Sequence, residues 1–131
     1  MTHPGHEIVR KFFTALEAGH LPEALLTDDF SAWTTTQGEL THEQYASAIP
    51  LLAKLTNGTI HFTVDAISAE DDRVVAEVRG KAKLIDGTDY ANTYVFVFRM
   101  RDNCIRSVAE HFNVQLVMEK LVPLIAKLQS P

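Results

Sequence analysis

The residues best suited to acid–base chemistry lie in the last third of the chain, on two predicted strands joined by a tight turn. In the first strand, DYANTYVFVFRMR, alternation places Tyr90, Asn92 and Tyr94 on one face. The second strand ends in AEHFNVQ, where His111 carries an imidazole that titrates near neutral pH and therefore suits proton transfer. We interpret His111 as a catalytic acid or base, and Tyr94 and Asn92 as electrophiles that hydrogen-bond a substrate.

The regularity of the second strand decides which titratable side chain shares the face of Tyr94. Glu110 and His111 are consecutive, so a regular strand points them to opposite faces. We assign the ligand side to His111, with Glu110 pointing away, whereas a β-bulge would exchange the two. A purely structural hydrogen bond from His111 to Tyr94 or Asn92 is the alternative interpretation.

The face that begins with these polar groups becomes apolar farther along the first strand. Phe96 and Phe98 follow Tyr94 at the same spacing of two residues. A polar end beside aromatic side chains can orient an apolar ligand through its carbonyl or hydroxyl group, although Phe96 and Phe98 also suit a packed core. We predict that a small apolar molecule binds here and contacts Tyr90, Phe96 and Phe98.

Composition limits the class of protein. A chain of 131 residues with 46% hydrophobic and 22% charged residues suits one ordinary core, so we predict a single domain over residues 1–131. The net charge of −5 argues against nucleic-acid binding, which requires a basic surface. No apolar run approaches the roughly 18 residues that span a bilayer, and the N-terminus lacks a secretory signal pattern. We therefore expect no membrane association and a cytoplasmic location.

No motif predicts a bound metal or cofactor. The histidines are scattered, and none of their spacings matches a zinc or iron ligand set. The sequence also lacks a dinucleotide-binding glycine motif and a phosphate loop. We therefore predict a protein without a metal site and without a cofactor.

Helices dominate the first half of the predicted secondary structure. The patterns predict a helix near Pro4 to Ala18, a short second helix after Pro22 and a strand from Phe30 to Thr36. A capping box that begins at Thr41 starts a third helix. Pro50 should kink or divide that helix.

Four strands and a closing helix fill the second half. Period-two patterning begins at Ile60, and turn-forming pairs such as Asp86 and Gly87 separate the strands. An apolar helix then runs from about residue 116 to 128, with Pro123 as a kink. This order indicates the α+β class, in which N-terminal helices cover one face of a strongly curved antiparallel sheet and leave a cone.

The outer face of the predicted sheet is aliphatic. Thr93, Val95 and Val97 alternate with the residues that face the cone, and Val75 lies on a neighbouring strand. A patch of this kind is unusual on the surface of a monomer. We therefore predict a symmetric homodimer that forms through the outer faces of two sheets.

Four segments carry a resemblance to a known superfamily. In chain order they are VRKFFTALEAGH, LLTDDFSAW, ANTYVFVFRMRDN and IRSVAEHFNVQ. Together they resemble the nuclear-transport-factor-2-like (NTF2-like) superfamily, and within it the branch of ketosteroid isomerase and the SnoaL-like polyketide cyclases. The resemblance implies the cone-shaped, cystatin-like α+β barrel, a fold that hosts isomerases, cyclases, epoxide hydrolases, dehydratases and non-catalytic binders.

The resemblance also assigns positions in the cone. Thr34 falls where ketosteroid isomerase has its catalytic aspartate, and Phe12 falls where that enzyme has a tyrosine on its first helix. Asn113 replaces the final acid of the SnoaL-like pattern, and Trp33 falls at a position that lines the cone. None of these side chains is a general base near neutral pH. The resemblance therefore implies substrate binding for all four.

Two functions stay open at this point. The first is an isomerase, cyclase or lyase that acts on a small apolar carbonyl or hydroxyl compound, with His111 as acid or base. The second is a non-catalytic ligand-binding or dimerisation domain of the same fold. The missing acids at Thr34 and Asn113 motivate the second function, and the polar end of the aromatic face leads us to favour the first.

Overall fold

A computed structural model describes residues 3–129, so residues 1–2 and 130–131 of the predicted domain lie outside the described range. The helices are α1 (Pro4–Glu17), α2 (His42–Leu55), α3 (Val114–Leu116) and α4 (Val122–Gln129). A 3-10 turn spans Glu23–Leu25 and a π-helical turn spans Val117–Leu121. The strands are β1 (Leu26–Thr34), β2 (Gly38–Thr41), β3 (His61–Glu70), β4 (Arg73–Lys83), β5 (Asp89–Arg101) and β6 (Cys104–Phe112).

The six strands form one sheet in the order β2-β1-β6-β5-β4-β3. Neighbouring strands are antiparallel except β1 and β6, which run parallel. The sheet curves without closing, and β2 and β3 form its two edges. The predicted α+β class with a curved, mostly antiparallel sheet is confirmed, whereas the barrel that the resemblance implied is an open sheet.

Helix α1 packs its apolar side into the concave face of the sheet. It begins at the predicted proline and ends one residue before the predicted end. The Phe12 and Phe98 rings meet edge to face with centroids 5.1 Å apart, and Phe13 meets Phe96 in the same way at 4.8 Å. Such contacts add to the stabilisation that comes from burying the rings. The cluster fills one part of the concave face, so the open space lies toward Tyr94.

Helix α2 begins at the predicted capping box. The Thr41 hydroxyl accepts a hydrogen bond from the Gln44 amide at 3.1 Å, and the Gln44 side chain accepts one from the Thr41 amide at 2.9 Å. Pro50 does not divide the helix, which runs unbroken to Leu55. Pro50 is exposed, where water can satisfy the carbonyl that loses its helical partner. Strand β2 was not predicted, because four residues are too few to establish a period of two.

The long strands agree with the predicted meander. Strand β1 runs from Leu26 to Thr34 and therefore begins and ends earlier than predicted. Tight turns join β3 to β4 and β5 to β6, where Asp71, Asp102 and Asn103 have φ angles of 54°, 52° and 60°. Asp and Asn tolerate this left-handed region better than other residues with a side chain, which explains their presence at the turns.

The C-terminal helical segment is irregular near the proline that was predicted to bend it. The π-helical turn Val117–Leu121 comes shortly before Pro123. Proline lacks an amide hydrogen and its ring collides with the carbonyl four residues earlier, so a wider turn relieves the conflict. Leu121 and Leu124 then pack with Leu55 of α2 and cover the space between the sheet and that helix.

Candidate functional site

A cavity of about 370 Å³ lies between the concave face of the sheet, α2 and the C-terminal helices. Most of its wall is apolar, with Leu52, Phe62 and Phe96 as examples. Its polar lining residues are Thr34, Thr36, Gln37, Tyr45, Tyr90, Tyr94 and Glu110. A largely apolar cavity with a few polar groups is the usual form of a small-molecule site.

Glu110 enters this cavity from β6. It lies opposite Phe96 of β5 and beside Thr34 of β1 in the strand register, so the three side chains share the inner face. Burial raises the pKa of the Glu110 carboxyl to about 7, and the nearby Tyr45 hydroxyl offsets part of the rise. Among the described residues no lysine, arginine or histidine lines the cavity. The carboxylate therefore lacks a cationic neighbour in the cavity wall that would favour its charged form.

A one-residue bulge explains why Glu110 and not His111 faces inward. Near the turn Met100 pairs with Ile105, but the next pair is Arg99 with Ser107, so Arg106 is an extra residue in β6. A shift of one residue moves every later side chain of the strand to the other face. The prediction that His111 shares the face of Tyr94 is therefore wrong, and the exchange that a bulge would produce is what occurs.

His111 lies on the outer face of the sheet. It pairs with Val95 and is exposed, and its ring centroid lies 4.9 Å from that of Trp33. Both rings contribute to a shallow surface depression outside the cone, and neither lines the cavity. The implied position of Trp33 inside the cone is corrected in the same way, because the outer face of β1 carries that residue.

Asn92 holds a buried hydrogen-bond network beside the cavity. Its side-chain nitrogen donates to the Tyr90 hydroxyl at 2.9 Å and to the Asn113 carbonyl at 3.2 Å. Its side-chain oxygen accepts from the amides of Thr93 and Asn113 at 2.8 and 3.2 Å. These four bonds use the full capacity of the amide. Asn92 does not line the cavity, so it acts on the site through Tyr90.

Tyr94 extends this network to the cavity wall. Its hydroxyl lies 3.1 Å from that of Tyr90. Burial holds the pKa of Tyr94 well above its usual value, with the neighbouring Tyr90 as the next cause. Gly80 provides room for the ring, because a Cβ at that position would lie 2.9 Å from the Tyr94 ring carbon Cε1. Tyr94 is therefore a protonated hydrogen-bond donor in a confined position.

Tyr45 reaches the cavity from α2, and sequence reasoning assigned it no role at the site. Its hydroxyl is buried and interacts with the Glu110 carboxyl, although the contact falls outside ordinary hydrogen-bond geometry. Burial raises the pKa of Tyr45 well above its usual value, and the charge of nearby Glu110 acts in the same direction. One feature of the sequence could have indicated that Tyr45 points inward. Tyr45 follows the capping-box residue Gln44 and lies on the same buried side of α2 as Ile49 and Leu55.

The remaining predicted site residues divide between the cavity and other parts of the molecule. Thr34, Tyr90 and Phe96 line the cavity, and their contact with a substrate stays a prediction. Phe12 and Phe98 do not line it, because both rings are fully buried against each other in the core. Asn113 is exposed and caps α3, where its side-chain oxygen accepts a hydrogen bond from the Leu116 amide at 3.4 Å.

The described residues were also compared with the arrangements that a metal site or a membrane-spanning helix requires. Within residues 3–129 no group of three or more His, Cys, Asp and Glu side chains is arranged to hold a metal ion. None of the helices in this range has the length and apolar character needed to cross a membrane.

The chain belongs to the SnoaL-like domain family. The family model matches residues 9–108, which confirms the resemblance stated from the sequence. A search of curated proteins found no significant match.

Several solved structures share the fold. An NTF2-like protein from Anabaena variabilis is 23% identical, with a TM-score of 0.73 over 86% of this chain and 94% of its own. PrhC from Penicillium brasilianum is 14% identical, with a TM-score of 0.79 over 95% and 89% of the two chains. A Catenulispora acidiphila protein with a ketosteroid isomerase-like fold, solved with trimethylamine, is 20% identical, with a TM-score of 0.71 over 87% and 91%. These similarities establish the fold.

Proposed function

We propose that the cavity binds a small, mostly apolar carbonyl or hydroxyl compound and that Glu110 moves a proton to or from it. The reaction is an isomerisation, cyclisation or elimination that needs no cofactor. The observation that carries this proposal is the Glu110 carboxyl, which is enclosed at the cavity wall and has a pKa of about 7. A group that titrates near the working pH is an efficient general acid or base, since both of its protonation states are populated.

Tyr94 supports the same chemistry as a hydrogen-bond donor. Because the Tyr90 hydroxyl accepts from Asn92, its own hydrogen is available for Tyr94. When Tyr90 donates to Tyr94, the Tyr94 hydrogen can point at a ligand oxygen, where it stabilises negative charge. This arrangement keeps the role predicted for Tyr94, gives Asn92 an indirect role and transfers the acid–base role from His111 to Glu110.

Ligand binding without turnover is the second candidate function. This second function is favoured by the residue types at the two positions where the related enzymes carry catalytic acids, because neither residue here is an acid. Thr34 lines the cavity with a hydroxyl, and Asn113 uses its side chain to cap α3. Only Glu110 among the described cavity-lining residues can then serve as a base.

The test begins with a thermal-shift screen against ketones, polyketide-like aromatics and terpenoid compounds, followed by turnover assays on each ligand that binds. Replacing Glu110 with glutamine keeps the shape and removes the base, so we expect kcat to fall about 10²- to 10⁴-fold. The matched control is His111→Ala, which alters the outer face and should leave kcat unchanged. Equal loss in both variants, or full activity in Glu110→Gln, would contradict the proposed role of Glu110.

We further propose that two copies associate through the outer faces of their sheets. Val95 is exposed at the centre of this face, and Val75 and Val97 beside it are partly exposed. Sedimentation at micromolar concentration should give a dimer, and Val95→Glu should convert it to a monomer by placing a charge in the interface. Ile85→Glu changes an equally exposed apolar residue beyond the end of β4 and should leave the dimer intact. A monomer of the unmodified protein would overturn the proposal.

A further inference from the structure

We propose that the cavity also binds the ammonium group of an apolar tertiary or quaternary amine, with the Glu110 carboxylate as its counter-ion and four aromatic rings as its cage. The inference goes beyond the proposed function, because it assigns a second class of ligand to the cavity and requires no turnover. The proposed substrate is neutral, whereas this ligand is an organic cation.

The aromatic cage consists of Phe62, Tyr94, Phe96 and Phe112, and all four residues line the cavity. The Tyr94 ring centroid lies 5.6 Å from that of Phe96 and 6.0 Å from those of Phe62 and Phe112. The Phe96, Phe62 and Phe112 rings are inclined to the Tyr94 ring by 40°, 72° and 64°. Rings at such different inclinations offer faces as well as edges to the space that they surround. The face of an aromatic ring attracts a cation that lies within about 6 Å of its centre.

The Glu110 carboxyl lies on the same side of the cavity as the aromatic cage. In the register of β5 and β6, Glu110 lies opposite Phe96, and Phe112 lies opposite Tyr94. The pKa of Tyr94 is raised mainly by burial, and the charge of Glu110 adds to the rise, which places the carboxylate near the Tyr94 hydroxyl. A cation held by the rings is therefore close enough to the carboxylate for a favourable charge interaction.

No positively charged side chain competes for Glu110 in the described wall of the cavity. Lysine, arginine and histidine are absent from that lining. Lys120 belongs to the neighbouring π-helical turn, but its charge acts on Asp86 and Asp89, which lie outside the cavity. An ionised Glu110 is thus desolvated without a counter-ion, which is unfavourable. A cationic ligand supplies the missing positive charge.

The cavity can be reached from solvent beside the C-terminal helices. Met118 and Val122 line the cavity and are 51% and 39% exposed. An apolar opening favours a cation whose charge is covered by alkyl groups, because such a cation binds water less strongly than a primary ammonium does. This explains why the inference names tertiary and quaternary amines, the class that aromatic cages recognise.

Glu110 is the group that sets the charge of the cavity near neutral pH. Helix α2 faces it with Tyr45 and β5 faces it with Tyr90 and Tyr94, and burial raises the pKa of each of these hydroxyls, so all three are neutral. Strand β1 contributes the uncharged Thr34, and the described lining residues of the C-terminal segment are apolar. The cation should therefore bind more tightly as pH rises and Glu110 ionises.

The experiment measures the Kd of phenyltrimethylammonium and of tert-butylbenzene, an uncharged compound of the same shape, by NMR titration. The cation has no titratable proton, so any pH dependence of its binding belongs to the protein. Because Glu110 has a pKa of about 7, the Kd of the cation should fall about tenfold from pH 6 to pH 8. The Kd of tert-butylbenzene should not fall over the same range.

Three variants locate the effect. Glu110→Gln keeps the shape and removes the carboxylate, so it should raise the Kd of the cation at pH 8 about tenfold or more and abolish the pH dependence. Glu119→Gln is the matched control, because Glu119 accepts a hydrogen bond from Gln115 outside the cavity and its loss should leave the Kd unchanged. Phe112→Leu removes one ring of the aromatic cage and should raise the Kd of the cation about threefold, with little effect on tert-butylbenzene.

The outcomes separate this inference from the proposed function. If the unmodified protein does not bind the cation, or if its Kd is the same at pH 6 and pH 8 and in Glu110→Gln, the inference fails. The proposed function is then untouched, since turnover of a neutral substrate and its loss in Glu110→Gln are measured separately. Binding of the cation that strengthens with pH and is lost in Glu110→Gln would support the inference even if every turnover assay were negative.

Discussion

The acids of this molecule behave in opposite ways on the exposed surface and on the concave inner face. Asp29 and Asp65 are exposed and paired with Arg101 and Arg79, and hydrogen bonds from these guanidinium groups hold the carboxyl pKa values low, to about 2 for Asp29. Glu110 lines the cavity without a cationic partner in its wall, and burial raises its pKa to about 7. The surroundings thus keep the exposed carboxyls charged at neutral pH and place the pKa of the buried carboxyl close to neutral pH.

The same comparison shows which groups lower the stability of the folded state. An exposed ion pair contributes little, because water already solvates both charges. A buried carboxyl that must ionise lowers the stability of the folded state, and a buried hydroxyl outside ordinary hydrogen-bond geometry does so too. Glu110 and Tyr45 face each other in one cavity with these two features. Such concentration of unfavourable groups is typical of functional sites.

The largest expected effect on stability is the pH dependence that Glu110 imposes. Its pKa is raised from 4.5 to about 7, so between these values the folded state binds the proton more tightly than the unfolded state. The free energy of unfolding should therefore fall as pH rises through this window, by up to about 3 kcal/mol. Urea unfolding at several pH values measures the slope. Glu110→Gln should make the curve flatter, and identical curves for both proteins would refute the raised pKa.

The next largest effect concerns the network that supports the inner face. Asn92→Ala removes a buried side chain with four hydrogen bonds and leaves the amides of Thr93 and Asn113 without an acceptor. We expect a loss of about 2–3 kcal/mol in the free energy of unfolding. Ser68→Ala, at an exposed position of the edge strand β3, is the control and should stay within about 0.5 kcal/mol. If both variants lost a similar amount of unfolding free energy, the Asn92 network would contribute no more to stability than an exposed side chain does.

The smallest effect is expected for the paired acids. Asp65→Asn breaks the contact with Arg79, in which the guanidinium donates to both carboxylate oxygens at 2.8 and 2.9 Å. Because the pair is exposed to water, we expect no measurable change in the urea midpoint. A clear loss of stability at low salt that disappears at high salt would mean that the surface pair contributes more than the comparison assumes.

Much of the fold was predictable from local patterns. The start of α1 at Pro4, the capping box at Thr41 and the turn residues Asp102 and Asn103 are each determined within a few residues of sequence. Alternation along β5 correctly placed Tyr90, Tyr94 and Phe96 on the inner face. Strand β2 was missed because it is short and pairs only with β1.

The candidate site was harder to predict, because it depends on how β6 pairs with β5. Counting from the turn without a bulge places His111 opposite Tyr94, and the extra residue Arg106 places Phe112 there and Glu110 opposite Phe96. A bulge is set by the packing of several strands and leaves no mark in the local pattern of apolar residues. Tyr45 was missed for a related reason: it satisfies the apolar period of α2, and its hydroxyl has meaning only beside Glu110.

The sequence by itself determined the α+β class, the family and the strand that carries the proposed acid–base group, since these follow from periodicity, turn chemistry and the order of motifs. Only the tertiary structure decided which of the two consecutive residues, Glu110 or His111, faces the cavity. It also decided the pKa of Glu110, because that value depends on burial by elements that lie far apart in the chain. Local residue types specify secondary structure, whereas register and desolvation arise from contacts between distant segments.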